Sequence, residues 1–355
     1  MTVNKKQVKD IHKVGLLFGG RSAEHEVSLM SARSVFAEVD IPGIEWMPLA
    51  ISQSGKWLSP ETSRRLITAE IDRIPEEEDD KYGSILESIK KNLSEELELI
   101  FPLLHGPYGE DGTMQGFLQT TGIPFVGSKT AASAVAMDKS FAKNIFERHN
   151  IRQTDYLLLT AQDINDKEKI AGLEKRVLEE LGLPCFIKPV SLGSSIGISK
   201  VKEIKDLMPA VRMAFEYDNR ILLEEFISGR EIECSVLGTW KNSEVSRPGE
   251  IIPEHEFYDY EAKYFSSSTR LITPAELPRE TEEKIKSLAR RAFRLLYCDG
   301  LARVDFFLAE GEEIYLNEIN TIPGFTEKSM YARMWQASGL EYAELVRKLL
   351  EIALD

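Results

Sequence analysis

Apolar and polar positions alternate along this chain with two different periods. In KVGLLFGG (13–20) the apolar run VGLLF is closed by two glycines, the pattern of a buried parallel strand. From about Glu24 to Glu38 the apolar positions take up helical spacing. EWMPLAIS (45–52), LELIFPLLHG (97–106) and IPFVG (123–127) read as further strands, and GTMQGFLQTTG (112–122) and TAASAVAM (130–137) as helices. Strands alternating with helices predict an α/β unit, a parallel sheet with flanking helices and its function at the carboxyl ends of the strands.

Past residue 128 the rhythm changes to α+β. A helix over 139–150 leads to the strand YLLLT (156–160) and to a helix near 168–182. PCFIKPV (184–190) and IGISKV (196–201), joined by a Gly/Ser turn, predict a hairpin. A helix near 203–217 and the strand RILLEEFI (220–227) complete a small lobe. The last third opens with EIECSVLG (231–238) and passes through a polar, aromatic-rich segment (254–270) to a long amphipathic helix, about 279–297. LARVDFFLA (301–309) and EEIYLNEI (312–319) predict a second hairpin, and two helices close the chain. Units of 1–128, 129–227 and 228–355 follow from these changes. There is no internal repeat, low-complexity tract or coiled-coil heptad.

A chain of 355 residues, 43% hydrophobic and 29% charged, has room for two or three domains with a substantial core. Its formal net charge of -14 argues against a general binder of nucleic acid or anionic membrane, which would need basic patches. PEEEDD (75–80) reads as an exposed loop. The start is charged, and the VGLLF run after it is too short for a signal peptide or a membrane span. Cys185, Cys234 and Cys298 are isolated, odd in number and without zinc spacing, which predicts small core residues in a reducing cytoplasm.

The chemistry begins where polar residues interrupt apolar strands. In IYLNEIN, Glu318 and Asn320 are two apart and share a face. Asp305 interrupts LARVDFFLA in the same way, and a hairpin through the Gly311 turn brings it beside them. Three oxygen donors on one face suit a hard cation such as magnesium bound with substrate phosphates. The alternative is a half-solvated sheet edge. Arg303 shares the face, either to balance the acids or to stabilise a developing oxyanion. In IKPVSLGSSIGIS (187–199), Lys188 precedes a Gly193-Ser194-Ser195 turn. That turn is either ordinary hairpin chemistry or a cradle for phosphate; the order of residues is not that of a Walker motif.

Taken in order, several stretches resemble the ATP-grasp fold and, more narrowly, the D-alanine–D-alanine ligases of bacterial cell-wall synthesis. They are GGRSAEHEVSL (19–29), LLHGPYGEDGTMQG (103–116), IPFVGS (123–128) with MDKSFAK (137–143), IKPVSLGSSIGISKV, EEFISGREIECSVLG (224–238), FYDYEAKY (257–264) and RVDFFL…YLNEINTIPGFTEKSM. The resemblance covers nearly the whole chain. It implies a Rossmann-like amino-terminal domain and two α+β lobes that sandwich ATP.

The resemblance also implies roles. Lys139 and Lys188 would touch the nucleotide phosphates, with Ser194 and Ser195 in the turn beside them. Glu224 would recognise adenine beside the backbone of Glu225, Phe226 and Ile227, and Glu231 would take the ribose. Phe186 and Phe306 would wall the base, or belong to the core. Asp305, Glu318 and Asn320 would hold two magnesium ions, replaceable by manganese, with Asn317 in the same nucleotide site. Glu24 would receive the amino group of the first D-alanine, although an acid at a helix start is also favourable in itself. His105 and the GEDG turn (109–112) would flank that subsite. Ser194 and Tyr264 would form a triad with Glu24, Arg303 and the Gly324 N–H an oxyanion pair, and Ser329 would hold the second carboxylate. The segment 253–270 would be a lid, with Lys263 reaching the γ-phosphate.

The implied reaction is ATP-dependent ligation of two D-alanine molecules through D-alanyl phosphate for peptidoglycan, by a cytoplasmic homodimer. The alternatives are a D-alanine–D-lactate ligase, another carboxylate–amine ligase of the fold, or a non-catalytic nucleotide-binding regulator. Lys263 and Tyr264 in YEAKY favour an amine acceptor. A regulator would have lost a metal ligand, a phosphate lysine or Glu24, and all are present. His25, Leu192, Ile322 and Glu327 are small departures that remove no required polar group.

Overall fold

β1 (Lys13–Gly19) is buried along all but its first residue, because it lies between two parallel partners, β2 (Glu45–Ile51) and β3 (Leu99–Pro102). The computed structural model describes residues 7–75, 97–252 and 269–355. Most of PEEEDD and the expected lid, with Lys263 and Tyr264, lie outside those residues. α1 (His25–Glu38) turns Val27, Leu29, Ala32 and Val35 inward, the helical spacing expected of it. Its Ser28 hydroxyl accepts from the Gly19 N–H at 2.7 Å and donates to the Leu103 carbonyl at 2.5 Å, tying the ends of β1 and β3 to the helix. α2 (Pro60–Ile67) follows β2.

IPFVG is not a strand. Phe125 makes a single parallel bridge to Ile100, flanked by two backbone bonds of 2.9 Å. Pro124 has no N–H to continue a ladder, and Gly127 at φ +104° turns the chain away. α3 (Thr113–Thr121), α4 (Thr130–Met137) and α5 (Lys139–Arg148) follow, the last capped by the Asp138 side chain on the Phe141 N–H.

The central lobe is an antiparallel sheet of β4 (Tyr156–Thr160), β5 (Cys185–Pro189), β6 (Ser199–Val201) and β7 (Arg220–Glu225), in the order β4-β7-β5-β6. The expected β5–β6 hairpin is there. α6 (Lys167–Arg176) ends earlier than its pattern predicts, in a π-helical turn (Val177–Leu181) stopped by Gly182 at φ +74°. α7 (Leu207–Ala214) starts after a 3-10 turn.

The largest sheet runs β11-β10-β8-β12-β13, with β9 on β8. Its strands are β8 (Gly229–Gly238), β9 (Ser243–Val245), β10 (Gly249–Ile252), β11 (Arg270–Ile272), β12 (Gly300–Ala309) and β13 (Ile314–Asn320). α8 (Arg279–Leu295) packs Ile285, Ala289 and Phe293 onto it in one cluster with Ile232, Val304 and Phe306. α9 (Met330–Gln336) and α10 (Tyr342–Leu354) close the chain within the cluster that contains β1 and β3. All three cysteines are free and buried, as expected. Burial pushes the Cys185 thiol up to about 11 and Cys298 to about 12. Among the described residues no helix is long and apolar enough to cross a membrane.

Segment 321–325 joins β13 to the amino-terminal unit. Phe325 is fully buried and meets Phe101, Tyr331 and Tyr342 at ring separations of 5.4, 5.7 and 5.6 Å. Its N–H donates to the Ser31 hydroxyl at 3.3 Å. The His105 Nδ1–H donates to the Ile322 carbonyl at 2.9 Å, which leaves Nε2 to accept from Ser31 at 3.2 Å. Glu110 accepts from the Ile322 N–H at 3.2 Å and from the Gly106 N–H at 2.7 Å. Burial, and then Glu24, push the Glu110 carboxyl up to about 8, against these two bonds.

Two predictions follow from this joint. Phe325→Ala should lower unfolding free energy by about 3–5 kcal/mol in urea titration, and a loss below about 1 kcal/mol would contradict the packing. Glu110 keeps its proton in the folded chain while the unfolded chain releases it near 4.5, so stability falls as pH rises from there to about 8. Glu110→Gln removes that titration. Melting temperatures across the window should decline more steeply for the wild type than for the variant, whatever their constant offset; parallel curves would be the contrary result.

Candidate active site

Asp305 lies opposite Glu318 in the β12–β13 pair, and Arg303 opposite Asn320. Next to Asp305 the register slips by one residue, so that Phe306 faces Leu316 and both Asn317 and Glu318 stand against Asp305. Simple alternation assigns Asn317 to the other face; the bulge turns it to the same cleft as Glu318, and both line it. On the other side of β12, β8 sets Glu233 opposite Asp305. Three carboxylates therefore stand in a row across the sheet, an arrangement that like-charge repulsion opposes.

Arg303 is what compensates them. Its Nε lies 2.7 Å from one Asp305 oxygen and its Nη2 2.6 Å from the other, and Nε is 3.1 Å from Glu233. Burial favours loss of its proton, but Asp305 and Glu233 outweigh this and hold the guanidinium charged. Of the two roles open to Arg303, this geometry displays the balancing one. Asn320 Nδ2 donates to Asp305 at 3.1 Å, and Lys139 Nζ lies 3.4 Å from Glu318. Among the described residues no three His, Cys, Asp or Glu side chains form a ready metal cage. The donor set still fits a hard cation: carboxylates and an amide on one face, with Glu318 25% exposed against 13% for Asp305.

Glu233, Arg303, Asp305, Asn317 and Glu318 form one wall of a cleft of about 470 Å³ between the central and carboxyl-terminal lobes. Lys139, Lys188, Ser194, Ser195, Glu224 and Glu231 line it, as do residues 225–227 and Phe186. Lys139 donates to the Leu192 carbonyl at 2.7 Å, pinning the Gly/Ser turn to α5. Ser194 and Ser195 are both left-handed, at φ +50° and +58°, a cost of about 1–3 kcal/mol each that the surroundings must impose. Phe186 packs against Phe226 at 6.0 Å. Phe306 is 1% exposed, so it belongs to the core and also lines the cleft.

Glu224 is 2% exposed and its two oxygens carry one lysine each, Lys188 at 2.6 Å and Lys143 at 3.2 Å. Burial alone would raise its carboxyl; the two lysines prevail and hold it at about 2. At the end of the cleft the Ser194 hydroxyl donates to Glu24, which joins the central lobe to the start of α1. Gly106 allows this approach: a Cβ there would sit 2.7 Å from Glu24 Oε2 and 2.6 Å from the Ser22 hydroxyl.

Glu24, His105, Asn320, Gly324 and Ser329 do not line this cleft. His105 is occupied in bracing segment 321–325, and the Ser329 hydroxyl donates to the Thr326 carbonyl at 2.7 Å at the start of α9. Lys143 and Glu233 escaped the reading of the sequence, and Glu110 entered it only within the GEDG turn expected to flank the first subsite. Glu231, Glu233 and Ser235 repeat on β8 the polar alternation that marks Glu318 and Asn320, and that signal could have found Glu233. Lys143 gave none, since a lysine on an amphipathic helix ordinarily faces water.

Comparison with known proteins agrees along the whole length. The model of the D-ala D-ala ligase N-terminus matches residues 13–128, and that of the D-ala D-ala ligase C-terminus matches 145–351. The D-alanine–D-alanine ligase of Halothermothrix orenii is 45% identical over 343 residues, 97% of this chain and 98% of its own. Among solved structures, the VanG D-Ala:D-Ser ligase of Enterococcus faecalis superposes with a TM-score of 0.79 at 35% identity, covering 96% of this chain and 99% of that one. The D-alanine–D-alanine ligase of Coxiella burnetii gives 0.79 at 32% identity, covering 97% and 96%. This chain belongs to the D-alanine–D-alanine ligase family.

Proposed function

We propose that the cleft carries out the ATP-dependent ligation of two D-alanine molecules with the following division of labour. The observation that carries the assignment of roles is the carboxylate row of Glu233, Asp305 and Glu318 facing Lys139 and Lys188 across one cleft. Lys139, Lys188 and the Ser194–Ser195 turn bind the phosphates of ATP; Glu224, the backbone of 225–227 and Glu231 bind the nucleoside. Asp305, Glu318 and Asn320 would hold magnesium or manganese, which when bound supplies positive charge against the phosphate oxygens.

The first D-alanine sits with its ammonium on Glu24, near His105 and the 109–112 turn. Its carboxylate attacks the γ-phosphoryl group, giving D-alanyl phosphate and ADP. The amine of the second D-alanine, held by its carboxylate at Ser329 and entering as the free base, attacks the acyl carbon, and phosphate leaves from the tetrahedral intermediate. Arg303, fixed by Asp305 and Glu233, and the Gly324 N–H are oriented donors for the oxyanion, which need no reorganisation as charge develops. D-alanyl phosphate hydrolyses readily, so water must be excluded; segment 253–270, with Lys263 and Tyr264, takes that part. We place the enzyme in the cytoplasm as a homodimer. Three buried free thiols support the first and the family resemblance the second.

With ATP, magnesium and D-alanine the chain should release ADP and form D-alanyl-D-alanine, read by mass. Turnover at neutral pH with D-lactate but without D-alanyl-D-alanine formation would overturn the reading. Glu318→Gln should melt near the wild-type temperature and lose turnover by about a thousandfold, the scale of several kcal/mol of charge stabilisation. ADP release at a near wild-type rate would remove Glu318 from the site.

A further inference from the structure

Glu224 stands on β7 between Tyr156 of β4 and Phe186 of β5, each directly opposite in register. Its two lysines are not equivalent. Lys188 reaches it from β5, and both residues line the cleft. Lys143 reaches it from α5, one turn beyond Lys139, and does not line the cleft. Its side chain is 3% exposed against 12% for Lys188. Lys143 Nζ also donates to the buried Thr154 hydroxyl at 2.9 Å and lies 5.1 Å from the Tyr156 ring. Its backbone carbonyl accepts from Gln153 at 3.0 Å, so the helix turn that carries it is itself fixed.

A phosphate-bearing ligand has to draw Lys188 toward itself, and the amine that serves the phosphate is the one now on Glu224. If Lys188 were the only partner, its departure would leave a buried carboxylate without a counter-cation, a state that burial strongly disfavours and that forces protonation. One lysine per oxygen avoids this. We propose that Lys143 is the standing counter-cation of Glu224, a positioning residue that stays on the carboxylate while Lys188 changes partner from Glu224 to nucleotide phosphate. The proposal rests on the nucleotide reading of the cleft and deepens it. Burial lowers the Lys143 pKa and Glu224 restores part of it, which agrees with an ammonium held for one partner.

The test uses the full-length chain and direct calorimetry of ATP binding, without D-alanine. In Lys143→Met, drawing Lys188 onto phosphate leaves Glu224 without a counter-cation, so binding must carry uptake of a proton by Glu224. The groups facing that carboxylate are then Lys188 from β5 and Tyr156 from β4, with Glu225 beside it on β7. The variant should bind ATP at least about tenfold more weakly near pH 8, and its deficit should shrink as pH falls toward about 6. Binding heats in buffers of different ionisation enthalpy should show the additional proton. Glu224→Gln removes the charge that needs a partner, so the double variant should bind no more weakly than Glu224→Gln alone.

Wild-type affinity in Lys143→Met, a deficit that does not vary with pH, or additive losses in the double variant would each overturn the proposal. If Lys143→Met fails to fold, Thr154→Val decides the matter through the same pH profile, with a loss of a few-fold expected and an unchanged profile adverse. Failure of the wild-type chain to bind ATP would instead remove the nucleotide reading, and this inference with it.

Discussion

Everything at the centre of this molecule answers to one electrostatic problem, three carboxylates set side by side across β8, β12 and β13. Glu233, Asp305 and Glu318 are brought together by strand register, so no side-chain motion can separate them far. Arg303 solves most of the problem from within the row and Lys139 part of it from α5. Two cations are among the described contacts of these three anions. A buried arginine is suited to the task, because its planar fork meets both Asp305 oxygens and its proton is not lost on burial. The same fixation makes it a poor mobile ligand and a good oriented donor.

On the opposite wall Glu224 holds two lysines, of which Lys188 lines the cleft. On the proposed function, polyphosphate would lie toward Lys188 and the Gly/Ser turn and hard cations toward Asp305 and Glu318, in a cleft bounded at one end by the Ser194–Glu24 contact.

How far this was legible in the sequence depended on how local each signal is. Alternation of period two exposed Asp305, Glu318 and Asn320, because an acid in an apolar strand is expensive wherever it occurs. Asn317 entered the site through the family resemblance and not through alternation, since a bulge breaks period two and leaves no mark in composition. IPFVG looked like a strand by residue type, yet a proline that cannot donate and a left-handed glycine limit it to one bridge. Lys143 was illegible for a different reason. Its environment is made by Glu224, 81 positions away, and no window along the chain contains both partners.

Placement of segment 321–325 shows how stability and chemistry share residues. Asn320 ends the strand that carries Glu318; four residues later Gly324 opens the chain, and Phe325 is sunk among Phe101, Tyr331 and Tyr342. The aromatic anchor therefore fixes the backbone N–H groups of this turn relative to the carboxylate row. His105, Ser31 and Glu110 fix it from the other side, through bonds to backbone atoms that do not depend on side-chain identity in the segment. A donor aimed at a reacting carbonyl is effective only if it need not reorient when charge appears. In segment 321–325 that rigidity comes from the amino-terminal core, so on the proposed function residues of that unit would bear on chemistry performed between the other two lobes.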